Sequence, residues 1–126
     1  MQIIQRFKWV PSVLIMAVIF YFSSQPSSDL PDYGKWDALI KKSGHIIGYC
    51  LLSISNQFWF NGKKSISSIV AIGYAFSDEY HQSFTKGRFP SIIDILIYDL
   101  IGIVIGVVLY PRISTFIRTR VRNPRL

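Results

Sequence analysis

The chain has 126 residues, half of them hydrophobic, with 14 Lys and Arg against 7 Asp and Glu. That length allows one domain. A soluble domain so small hides too little apolar surface for such a composition, which points to an integral membrane protein. The excess of +7 sits at the ends of apolar runs, so it reads as membrane orientation rather than nucleic-acid binding, and the single cysteine, Cys50, excludes an intramolecular disulfide.

The chain opens on a short amphipathic lead with Arg6 and Lys8, followed by a first helix over residues 9–24. Pro11 lies near its start, where proline is tolerated. The apolar run is short, so spanning a bilayer requires the helix to extend back towards Ile3 and Lys8 to snorkel. A cleaved signal peptide fits the length too, but Phe22-Ser23-Ser24 lacks a small-x-small site, which favours a retained helix. Pro26 and Pro31 forbid a continuous helix through the polar stretch that follows. Asp37 to Lys42 reads as a short interfacial helix, with Trp36 at headgroup depth.

A second apolar helix covers residues 44–60 and ends on Phe58, Trp59 and Phe60. Asn61-Gly62-Lys63-Lys64 is a tight turn, and a third helix over residues 66–82 ends in Asp78, Glu79, His81 and Gln82. A loop with Lys86, Gly87, Arg88 and Pro90 leads to a fourth helix over residues 91–110, which Pro111 is expected to stop. The tail, residues 111–126, carries five arginines and no acid.

The expected fold is all-α: a four-helix transmembrane bundle in a single domain, with both termini cytoplasmic. The cations decide the orientation. With the N-terminus inside, nine face the cytoplasm (Arg6, Lys8, Lys63, Lys64 and the five tail arginines) and five face outward (Lys35, Lys41, Lys42, Lys86, Arg88). The basic tail then anchors topology and touches anionic headgroups.

This topology carries almost every unusual polar group to the outer ends of the helices: Ser23, Ser24 and Gln25; Lys42 and His45; Asp78, Glu79, His81 and Gln82; Arg88 and Asp94. Ionisable residues at membrane depth cost about 2.5–3.5 kcal/mol each and mark sites by default. His45 and Tyr49 share a helix face, as do Asp78 and Gln82. Such a cluster suits binding of a divalent cation by His and Asp or Glu, acid–base chemistry through His45 or Glu79, or a phosphate clamp by Lys42 and Arg88. The competing reading is structural, with Asp78, Glu79, Lys42 and Arg88 pairing to knit the helices together. His81 reads as an interfacial surface residue, and Asp99, near mid-depth, as neutral or hydrogen-bonded to a neighbouring helix. E-x-H is not the H-E-x-x-H zinc motif, Ser77 lacks the nucleophile elbow, and no metal-ligand set or cofactor is assigned. Gly44/Gly48 and Gly102/Gly106 are two G-x-x-x-G pairs that favour close helix packing.

Phe22-Ser23-Ser24-Gln25-Pro26, Lys42-Ser43-Gly44-His45 with Tyr49, Asp78-Glu79 with Gln82-Ser83-Phe84, Gly87-Arg88, Asp94, and Gly102 with Gly106 form an ordered set over residues 9–110. In this the chain resembles the VanZ-like family, small membrane proteins named for a teicoplanin-resistance protein. The resemblance implies a multi-pass protein of the bacterial plasma membrane and cell envelope, with a glycopeptide-resistance association in some members. Carried over by position, it gives Lys42, His45, Glu79, Gln82, Arg88 and Asp94 as site residues. The family pattern has an asparagine where this chain has Asp99. The combined expectation is an outward polar pocket that takes a membrane lipid or lipid-linked envelope precursor. In it His45, Glu79 and Asp94 stand in catalytic positions, and Lys42, Gln82, Arg88 and Tyr49 hold the substrate. A non-catalytic accessory protein is the alternative, and a small proton-coupled exporter working through Asp99 is a third.

Overall fold

The computed structural model describes residues 6–122, so the expected extension of the first helix to Ile3 and the last residues of the tail lie outside the described residues. Four long helices make the fold, and among the described residues there is no strand. They are α1 (Val10–Ser24), α2 (Asp37–Trp59), α3 (Lys64–Gln82) and α4 (Ile92–Arg122). Pro11 sits in the first turn of α1, where its missing N–H has no intrahelical partner to lose. The proline-containing connector after α1 forms two short 3-10 turns, Ser27–Asp29 and Gly34–Trp36.

Two boundaries differ from those read in the sequence. Asp37 to Lys42 is not a separate interfacial helix but the first part of α2. Nothing between Lys42 and Gly44 breaks the backbone, and Asp37 and Lys41 pair across one turn at 2.7 Å. Pro111 does not stop α4, which runs on to Arg122. Proline removes one hydrogen bond and its ring crowds the preceding turn, yet Pro111 faces outward, and the hydroxyls of Ser114 and Thr115 donate to its carbonyl at 3.1 and 2.8 Å.

The long-range contacts fix the helix directions. Met16 meets Tyr74 and Ser23 meets Gln82, so α1 and α3 run parallel. Lys42 meets Tyr98 and Ser53 meets the Ile103 carbonyl, so α2 and α4 also run parallel. At the opposite end Lys8 donates to Asn61 at 2.8 Å, which sets α1 against α2 in antiparallel register. One end of the bundle therefore gathers the C-termini of α1 and α3 with the N-terminal parts of α2 and α4.

The α2–α4 contact is the most extensive in the molecule. Gly102 and Gly106 make it possible: a Cβ on Gly102 would run into the Ile46 backbone carbonyl, and one on Gly106 would lie 2.7 Å from the Cys50 carbonyl oxygen. Gly44 meets nothing within 4 Å and Gly48 only the side chain of Ile19 at 3.6 Å, so the other glycine pair does not create a close backbone crossing.

The polarity of the interior is reversed relative to a soluble domain. Six buried side chains are apolar, centred on Tyr49, Leu52 and Ile103, while twelve are polar or charged, among them Asn56, Gln57, Asp78, Glu79 and Asp99. Leu14, Ile69, Phe76, Leu96, Val104 and Val108 are exposed. Water around a soluble domain drives the opposite partition. Among the described residues one helix, Ile92–Arg122 with 31 residues, is long and apolar enough to cross a membrane by length and composition. At the helical rise per residue it measures roughly 46 Å, more than the thickness of a bilayer core.

Candidate functional site

A cavity of about 430 Å³ lies at the polar end of the bundle between α1, α2 and the connector that joins them. Its lining is mostly apolar, with Val18, Phe22, Ile47 and Leu51, and its polar lining includes Lys41, His45, Tyr49, Asp78, Gln82 and Arg88.

Each polar group is set there by a helix face or a loop anchor. His45 is on α2, and its Nδ1 lies 2.9 Å from Oδ1 of Asp99, which is 1 % exposed. Asp99 closes a π-helical turn, Ile95–Asp99, in which the Leu100 N–H reaches back to the Ile95 carbonyl. Insertions of this kind change which residues of a helix face inward and recur at functional sites. One turn beyond His45, Tyr49 is buried with a nearly parallel ring, and its hydroxyl has no hydrogen-bond partner among the described residues.

Asp78 and Gln82 lie one turn apart on α3. The Gln82 amide donates to Asp78 Oδ2 at 3.1 Å and to Ser23 Oγ at 3.3 Å. The other carboxylate oxygen, Asp78 Oδ1, is buried and unpartnered among the described residues. Buried polar atoms are satisfied in the great majority of cases; of the five without a partner among the described residues, two, on Tyr49 and Asp78, belong to residues that line this cavity.

Arg88 reaches the site from the α3–α4 loop. Its Nε donates to the Gln25 carbonyl at 3.2 Å and its Nη2 to the Phe22 carbonyl at 2.7 Å. These carbonyls lie at the C-terminal end of α1, the negative end of the helix dipole, where Phe22 otherwise accepts only the capping Gln25 N–H at 3.3 Å. Burial lowers the guanidinium from its ordinary pKa. Gly87, next to it, has φ +75, and any Cβ there would strike the Ser27 side chain. The Ser27 N–H donates to the Lys86 carbonyl at 3.2 Å, so this loop is docked onto the connector.

The remaining expected site residues are placed otherwise. Glu79 Oε2 accepts the Ser91 backbone N–H at 2.8 Å and holds the entry to α4. Lys42 Nζ donates to the Tyr98 hydroxyl at 3.2 Å and lies over that ring, 4.6 Å from its centre. Neither lines the cavity, nor does the half-buried Asp94. Of the residues read as catalytic, His45 alone is in the cavity wall; of those read as substrate-holding, Tyr49, Gln82 and Arg88 are there and Lys42 is not.

The expected network pairing Asp78 and Glu79 with Lys42 and Arg88 does not form among the described residues, where the ion pairs are Lys41–Asp37 and His45–Asp99. The lysine partner holds the Asp37 carboxyl below its usual range. His81 is not a free surface residue: Nε2 lies 2.9 Å from Ser24 Oγ and the ring stacks on Phe20 at 4.3 Å. Asp78 was visible as a polar helix-end residue but was not placed among the site residues, although its helical spacing from Gln82 was a usable signal. Asp99 stood out only by its depth, because no periodicity links a residue of one helix to a partner on another.

Chemically, the arrangement offers a carboxylate acceptor, a guanidinium donor and a His–Asp pair at the head of an apolar slot. Among the described residues no group of three or more His, Cys, Asp or Glu is arranged to hold a metal ion.

No curated protein and no solved structure matches the chain. The model of the VanZ/LLP1 family matches residues 7–117, which take in α1 to α3 and most of α4. The chain belongs to the VanZ/LLP1 family.

Proposed function

We propose that the protein is a multi-pass plasma-membrane protein, both termini cytoplasmic, whose outward cavity binds an envelope lipid or a lipid-linked precursor. One observation carries this reading: the cavity is amphiphilic, with an apolar slot along Val18, Ile47 and Leu51 that ends at His45, Asp78, Gln82 and Arg88. Ligand sites combine apolar walls with a few placed polar groups in this way. Its volume of about 430 Å³ falls in the range of small-ligand pockets. Further support comes from the polar interior and apolar exterior, which match a bundle surrounded by hydrocarbon. A role in glycopeptide resistance follows from the family alone and is tested by the glycopeptide sensitivity of cells with and without the protein.

The cavity predicts a retained lipid. Purified in mild detergent and examined by native mass spectrometry, the full chain carries about one lipid, and Leu51→Trp, which fills the slot, loses it. A chain that carries no lipid, or a Leu51→Trp variant that keeps it, contradicts the reading.

A non-catalytic accessory role has its own support, because Glu79 and Arg88 both bond to backbone groups that shape the fold. Under that role His45→Ala lowers stability or yield and leaves function per molecule intact; under a lipid-processing role it abolishes function even at matched protein level.

A further inference from the structure

The two polar atoms left unsatisfied in the cavity wall say what kind of headgroup fits. Asp78 is 3 % exposed, and its Oδ1 lacks a partner; Tyr49 is 1 % exposed, and its hydroxyl lacks one too. A carboxylate oxygen can only accept, and a cationic N–H donor satisfies it best. His45 bonds Asp99 through Nδ1, and among the described residues no bond runs from its Nε2 to Asp78 Oδ1. The Ser23 hydroxyl and the Gln82 amide both reach this carboxylate, but no donor is placed on Oδ1, so a cationic N–H from a ligand would add a bond that the fold leaves unmade.

Arg88 supplies the opposite charge on the same cavity. Among the described residues it uses two of its five N–H groups, on the Phe22 and Gln25 carbonyls, which leaves three. A guanidinium with free N–H groups suits a phosphate. Lys41 also lines the cavity but is held by Asp37 at 2.7 Å, so the charges left without an ionic partner on its wall are the Asp78 carboxylate and the Arg88 guanidinium, the complement of a zwitterion on an acyl chain. A headgroup that carries no N–H cation would leave Asp78 Oδ1 without a donor.

We propose that the site selects a lipid with a phosphoethanolamine-type headgroup, its primary ammonium donating to Asp78 Oδ1, its phosphate accepting from Arg88, and an acyl chain lying along Ile47 and Leu51. This rests on the lipid-binding reading above and narrows it to one headgroup chemistry. A trimethylated ammonium keeps the charge but has no N–H to give, and a glycerol headgroup has no cation. Selection therefore turns on the N–H groups and not on charge alone.

The test is a titration of the purified full chain, in detergent, with dioctanoyl lipids bearing phosphoethanolamine, its mono-, di- and trimethylated forms, or phosphoglycerol, and with octylamine. The primary amine lipid is expected to bind about tenfold tighter than the trimethylated and glycerol lipids. Octylamine, which has the ammonium without the phosphate, also binds more weakly. Asp78→Asn brings the amine lipid down to the level of the trimethylated one. If that variant does not fold, the methylation series on the unaltered protein decides alone. Equal binding of all the phospholipids, a preference for phosphoglycerol, octylamine as tight as the amine lipid, or an undiminished preference in folded Asp78→Asn overturns the headgroup assignment and leaves the lipid site standing. Binding of none of them overturns both.

Discussion

His45 and Asp99 form the one ion pair that links helices among the described residues. With Asp99 almost fully buried, losing its partner strands it: His45→Leu is expected to cost about 3–5 kcal/mol. The double variant His45→Leu/Asp99→Leu restores most of it, since two well-packed apolar groups replace a buried pair at little cost. Urea unfolding of the four members of the cycle measures the coupling; additive losses would show that the two side chains do not interact. His45 was legible as a site residue from its place at the head of a helix with Tyr49 on the same face. Its partner was not, because the link between α2 and α4 depends on the relative rotation of two helices and on the π turn before Asp99. Arg88 was singled out for its charge, but its contacts to Phe22 and Gln25 depend on where the loop folds back, which Gly87-Arg88 alone does not encode.

At the scale of the helix the two glycine pairs separate. Spacing treats Gly44/Gly48 and Gly102/Gly106 alike, yet only the second pair sits against the backbone of a neighbouring helix. Gly102→Ala is therefore expected to destabilise the bundle by about 1–3 kcal/mol through overpacking. Gly44→Ala, with open space around it, is expected to be neutral or slightly stabilising, because alanine favours the helix. Thermal unfolding in detergent ranks the two, and the reverse order would contradict the α2–α4 crossing. Number and approximate position of the long helices were legible from the apolar runs. Two ends were not. Asp37–Lys42 looked separate because its polarity changes before its backbone does, and Pro111 looked like a stop although an outward-facing proline with hydroxyl donors to its carbonyl is accommodated.

Taken whole, the molecule has a polar end, a polar interior and an apolar flank. Convergence of the helix ends was legible, because alternating helix directions bring the end of α1, the start of α2, the end of α3 and the start of α4 together whatever the packing angles. Which of the converging residues share a cavity was not, since Lys42, Glu79 and Asp94 are within the same end yet turn to Tyr98, Ser91 and the half-buried flank. The proposed orientation has its own check. In a Cys50→Ser background, a cysteine at Ser27 is labelled by an impermeant thiol reagent in intact cells and one at Lys63 only after permeabilisation. Labelling in the opposite order would invert the topology.

The lipid cleft is tested most directly by photocrosslinking in reconstituted membranes. A photoreactive side chain replaces Leu51, in the cavity wall, or Val104, exposed on α4 outside it. The expected result is a lipid adduct at position 51 that saturates and is competed away by added lipid of the preferred headgroup, with an adduct at position 104 that simply follows bulk lipid composition. Identical, non-saturating adducts at both positions would contradict a built lipid site.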